Sequence, residues 1–106
     1  MDLLTGEPVR VRPGVQLQVC YQAGGQPTMV FLHGGLGNRF NLRSQYEFAV
    51  AQGWGAIAYD LAGHGQSSPY PRYSIGRHCR DLTRLLRHFH IQKPILFAHS
   101  YGGPLP

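Results

Sequence analysis

Apolar and polar residues alternate near the start of the chain. Val9 and Val11, then Val15, Leu17, Val19 and Tyr21, take every second position, with Pro13-Gly14 between the two runs. A period of two puts those side chains on one face of an extended backbone, so the pattern predicts a β-hairpin over residues 9–12 and 15–21. Gly24-Gly25 marks the next turn. The largely apolar stretch 28–32 predicts a buried strand ending at His33. From 41 to 52 the spacing becomes helical, with Leu42, Tyr46, Ala49 and Val50 on one stripe, and Gly53 can close that helix in the left-handed conformation. Residues 54–59 predict a further strand, stopped by Asp60. Residues 61–73, rich in Gly, Ser and Pro, predict a long loop. Ser74 then caps a helix whose stripe is Ile75, Cys79, Leu82, Leu85, Leu86 and Phe89. Four apolar residues in a row, Ile95 to Ala98, predict a last strand covered on both faces. A hairpin followed by β-α-β-α-β predicts an α/β fold with a mostly parallel sheet, in a single domain over 1–106.

Composition narrows the class. With 42% hydrophobic and 14% charged residues the chain is globular in character. The formal charge of +5 is concentrated in part on Arg77, Arg80, Arg84 and Arg87, which lie at helical spacing and read as a solvated helix face, with weak contact to an anionic membrane surface as the alternative. No motif or aromatic interleaving supports nucleic-acid recognition. Cys20 and Cys79 are far apart and lack metal-ligand spacing, so reduced, buried thiols are expected, with no metal and no cofactor. No basic start and no long apolar run marks a signal peptide or spanning helix, which makes a cytoplasmic location the default expectation.

Three segments carry candidate chemistry, each at a predicted strand end, where ligands gather in parallel sheets. After the strand 28–32 comes His33-Gly34-Gly35-Leu36-Gly37, a glycine-rich turn that lets bare backbone amides approach a developing oxyanion; a flexible turn or a phosphate loop would use the same glycines. No G-x-G-x-x-G and no Gly-Lys-Ser/Thr can be written there, which argues against a dinucleotide fingerprint and a P-loop. After 54–59 comes Asp60-Leu61-Ala62-Gly63-His64-Gly65-Gln66-Ser67-Ser68. Asp60 and His64 could be taken for an acid and base, but they read better as a carboxylate bonding loop amides and a loop-fixing imidazole between two glycines. After 95–98 comes His99-Ser100-Tyr101-Gly102-Gly103. Ala98-x-Ser100-x-Gly102 is close to G-x-S-x-G, the sharp strand-to-helix turn that exposes a nucleophilic serine, with Ala98 in place of the first Gly. A serine capping a helix would look similar.

Taken in order, His33-Gly34-Gly35, the D-x-x-G-H-G-x-S run from Asp60 and the Ser100 turn resemble the amino-terminal part of the α/β-hydrolase superfamily, in its serine esterase and lipase branch. The resemblance spans residues 26–103. It implies Ser100 as nucleophile, the backbone N–H groups of Gly35 and Tyr101 as oxyanion hole, and structural roles near the site for His33, Gly34, Asp60, Gly63, His64, Gly65 and Gly102. His99 is expected to point away. Epoxide- and halide-cleaving relatives carry an Asp at the elbow, so a serine implies acyl transfer to and from a carboxylic or lipid ester.

In that family the triad acid and histidine follow the serine, and the chain printed here stops at Pro106. The expectation is a truncated domain without appreciable esterase activity by itself. The strand 95–98 would then form an exposed apolar edge, which invites aggregation, a partner strand or a carboxyl-terminal half to cover it. The alternative function is a non-catalytic binding module, either a truncated isoform or a pseudoenzyme.

Overall fold

The hydrophobic runs along the chain assemble one five-stranded sheet with a helix on each face. In the computed structural model, which describes residues 3–33, 37–67 and 75–98, the elements are β1 (Glu7–Arg12), β2 (Val15–Gln22), β3 (Gly25–Leu32), a 3-10 turn (Arg39–Leu42), α1 (Arg43–Ala51), β4 (Trp54–Tyr59), α2 (Ile75–His88) and β5 (Pro94–Ala98). The strand order is β1-β2-β4-β3-β5. β2 pairs antiparallel with both β1 and β4, while β3 pairs parallel with β4 and β5. Four strands therefore run one way and β2 alone runs against them. The sheet is mostly parallel in strand direction, as the sequence pattern implies, yet half of its pairings are antiparallel because the hairpin docks through β2.

The strands feed two cores. Val9, Val11, Leu17, Val19, Val30, Leu32, Ile57 and Tyr59 pack with Leu82 and Leu85 of α2. Their alternate neighbours, Cys20, Phe31, Ala56 and Ala58, pack with Tyr46 and Ala49 of α1 and with Leu4 and Leu42. This explains why β3 and β4 lack alternation: both of their faces are covered. The stripe of α2 follows its sequence pattern at Leu82, Leu85, Leu86 and Phe89, with Phe89 stacked on Tyr21 at 4.2 Å between ring centroids. Neither cysteine forms a disulfide. Cys20 is buried as expected, but Cys79 is only half-buried, because its place in the stripe falls at the rim of the contact.

Element boundaries shift where local capping outweighs periodicity. The helix expected from residue 41 starts as a 3-10 turn at Arg39, because Asn38 accepts from the Phe40 amide (2.9 Å) while Asn41 Oδ1 accepts from the Asn38 amide (2.7 Å). The two bonds form a reciprocal cap. At the other end Gly53 takes φ +81°, the left-handed stop that glycine reaches without strain. The Ser74 cap lies outside the described residues.

β5 is the exposed apolar edge expected for a truncated domain. A run of four apolar residues is written for a strand covered on both faces, but among the described residues β5 is the sheet's edge, with Ile95, Leu96 and Phe97 at 48, 37 and 41% exposure. Ile95 and Phe97 lie level with Met29 and Phe31, on the α1 side, and Phe97 tilts against Phe31 at 5.9 Å. An unpaired, apolar, parallel edge is a template for association. Ile95→Lys is expected to reduce concentration-dependent association, measured by light scattering, while changing the unfolding free energy by no more than about 0.5 kcal/mol, as for other exposed positions.

Candidate active site

Register brings the ends of three strands level. Leu32 is paired with Tyr59 on one side and with Ala98 on the other. His33 and Asp60 therefore leave the sheet together, level with Ala98 at the end of β5, at the carboxyl end of the sheet. Ligand sites of parallel sheets lie at this end because the loops there converge.

Asp60 is completely buried, and its two carboxylate oxygens are shared among three donors. Oδ1 accepts from the Arg39 backbone amide at 2.6 Å, and Oδ2 accepts from Arg39 Nη1 at 2.6 Å and from the Gln66 amide at 2.9 Å. Its backbone carbonyl accepts from Ser67 Oγ at 2.6 Å, and that hydroxyl in turn accepts from the Gln18 amide of β2 at 2.8 Å. The Asp60 amide donates back to the Gln18 carbonyl at 3.0 Å. Asp60 thus ties the loop that follows it to itself and to β2. Gly65, at φ +49°, is required here by space, since a Cβ would overlap the Asp60 carboxylate.

Arg39 completes the arrangement. It is 5% exposed, and its remaining donors reach the Leu4 carbonyl (Nε, 2.9 Å), the Thr5 carbonyl (Nη2, 3.1 Å) and Gln66 Oε1 (Nη2, 2.7 Å). A buried charge that is paired and makes four side-chain hydrogen bonds is tolerable; deleting one member strands the other and costs about 3–5 kcal/mol. No sequence signal marked Arg39. It sits among polar residues of a connection, and its partner lies across the sheet end.

His33 is buried, and its Nε2 accepts from the Leu61 amide at 2.9 Å. The imidazole is therefore neutral with its proton on Nδ1, and its Nε2 lone pair is committed to the fold. His64 packs against it with ring centroids 5.1 Å apart and donates from Nδ1 to the Ala62 carbonyl at 3.1 Å. The carboxylate bonds of Asp60 go to Arg39 and Gln66, so it does not orient His64 as an acid–base couple. Gly63, at φ +81°, opens the turn that carries His64. Gly34, Gly35, His99, Ser100, Tyr101 and Gly102 lie outside the described residues. Among the described residues no group of three or more histidine, cysteine or acidic side chains could hold a metal ion, and no helix is long and apolar enough to cross a membrane.

The sheet order, the strand-end loops and the buried Asp60 turn coincide with a known fold family. The sequence model of the α/β hydrolase fold matches residues 27–105. The chain belongs to the α/β hydrolase fold family. Among its α/β hydrolase relatives, the zebrafish (Danio rerio) sn-1-specific diacylglycerol lipase ABHD11 is 36% identical over 81 residues, 76% of this chain and 26% of that protein. Bifunctional epoxide hydrolase 2 of Sus scrofa is 29% identical over 100 residues, 92% of this chain and 18% of that protein. A solved structure of a Vigna radiata epoxide hydrolase mutant superposes with a TM-score of 0.89 at 26% identity, covering 99% of this chain and 33% of that one. The chain thus spans a third or less of each of these relatives.

One titratable group beside the Asp60 loop responds to pH with a definite sign. His78 of α2 titrates below its ordinary value of 6.5, chiefly because burial disfavours its charged form; Asp81 opposes the shift and His64 adds to it. The unfolded chain therefore takes up this proton at a higher pH than the folded chain does. Stability is full above the unfolded value and falls as pH drops through it, levelling off only below the folded value. Urea unfolding at pH 7.5 and 5.5 is expected to show this loss, and His78→Gln to lose less between the two pH values.

Proposed function

We propose that the chain is part of a serine hydrolase that cleaves carboxylic esters, lipid esters included, through an acyl-enzyme on Ser100. The observation that carries the reading is the serine itself. In sequence it comes two residues after the end of β5, between the small residues Ala98 and Gly102, and β5 pairs with β3, the strand that precedes His33-Gly34-Gly35. The lipase name of the zebrafish relative supports an ester substrate. The epoxide hydrolase names of other relatives support the fold and a hydrolytic reaction, and serine in the elbow favours acyl transfer over attack on an epoxide carbon.

In this reading Ser100 Oγ attacks the ester carbonyl and its proton passes to a general base. The N–H groups of Gly35 and Tyr101 receive the tetrahedral oxyanion, each donor being worth about 10²–10³ in rate. Collapse expels the alcohol, which takes its proton back from the base, and water then releases the acid by the same route. Neither His33 nor Asp60 supplies that base, since His33 Nε2 and both Asp60 oxygens are engaged in the scaffold. The 106-residue chain alone is accordingly expected to be without esterase turnover, and the exposed β5 edge to accept a further strand. Weak contact of Arg77, Arg80, Arg84 and Arg87 with an anionic membrane surface fits the same substrate class. A second reading, favoured by the exposed β5 edge, is a non-catalytic binding module.

The two readings separate in a chimera that joins residues 1–106 to the remaining two thirds of an ester-cleaving relative. Labelling by a fluorophosphonate probe that disappears in Ser100→Ala is the expected result. A folded chimera that remains unlabelled would contradict the serine hydrolase reading and leave the binding module.

A further inference from the structure

Two connections at the carboxyl end of the sheet meet on two consecutive residues. The Leu61 amide donates to His33 Nε2, just beyond β3, and the Arg39 amide, at the start of the 3-10 turn, donates to Asp60 Oδ1. The 60–67 loop folds back on the same carboxylate through the Gln66 amide. A carboxylate that serves both connections must hold one rotamer, because rotation about its side-chain bonds breaks both anchors at once. The Arg39 guanidinium supplies that constraint. It is oriented independently of Asp60 by the Leu4 and Thr5 carbonyls and by Gln66 Oε1, and its fixed plane then presents Nη1 to Oδ2. A lysine ammonium could replace the charge but not this planar fork, whose donors point in set directions.

We propose that Arg39 is the positioning residue of the candidate site: by fixing the Asp60 carboxylate, it holds the start of the 3-10 turn at Arg39 and the 60–67 loop in one register at the ends of β3 and β4. That these connections flank a reaction centre rests on the hydrolase reading; the clamp itself does not. Arg39 acts through Asp60 and touches no reacting atom in this account. Its effect is local geometry, which distinguishes it from a residue that contributes stability alone.

Amide hydrogen exchange on the 106-residue chain tests the proposal without any need for enzymatic activity. In Arg39→Lys the residue-39 and Gln66 amides are expected to exchange at least about tenfold faster, while Val30 and Ile57, in the paired core of β3 and β4, keep their protection. Arg39→Gln combined with Asp60→Asn removes both charges and serves if the lysine variant does not fold; it is expected to show the same local loosening. Unchanged protection at residue 39 and Gln66 in a folded variant would overturn the proposal. So would an equal loss of protection at Val30 and Ile57, which would make Arg39 a stabilising residue only. Loss of the hydrolase reading would appear separately, as failure of Ser100 labelling, and would leave the exchange result standing.

Discussion

The ion pair between Arg39 and Asp60 is the constraint on which the upper end of the molecule depends. Neither charge can be left alone in the interior, so every strand end and loop that contributes a partner is fixed relative to the others. The amino-terminal segment contributes two carbonyls, the 3-10 turn an amide and the loop after β4 another amide, while β2 is tied in through Gln18 and Ser67. A comparable number of apolar contacts would give similar stability but no fixed direction. Hydrogen bonds to a carboxylate specify where each loop must leave the sheet.

Below this polar layer the fold follows from burial. α1 and α2 cover opposite faces, and alternate residues of β3 and β4 supply each core in turn. The two layers meet at His33, Asp60 and Leu61, where the strands stop and the backbone must find new partners. His33 Nε2 takes one amide and Asp60 takes others, so the transition from sheet to loop leaves these groups satisfied. This is why polar side chains can sit buried directly above a hydrophobic sheet.

Much of this was legible in the sequence. The hairpin valines and the helical stripe of α2 follow from periodicity, and the strand Trp54–Tyr59 from a short, largely apolar run; both are local properties. The Asp60 run was legible as a motif. The insertion of β4 between β2 and β3 was not, because strand order depends on pairings distant in sequence. Nor was Arg39, a basic residue in a polar connection whose meaning comes from a carboxylate 21 residues later. The exposure of Ile95, Leu96 and Phe97 reverses the usual inference from an apolar run, since such a run reports the environment the residues suit and not whether it is present.

A double-mutant cycle on Arg39 and Asp60, read by denaturant unfolding, tests the central claim most directly. Arg39→Met and Asp60→Asn alone, and then together, give the coupling between the two side chains. The account predicts that the double variant is more stable than the sum of the single losses implies, by about 2–3 kcal/mol, because the second substitution removes a charge that the first had stranded. Losses that add to within about 0.5 kcal/mol, the behaviour of independent sites, would contradict it, and the loops would then have to be held by something other than this pair.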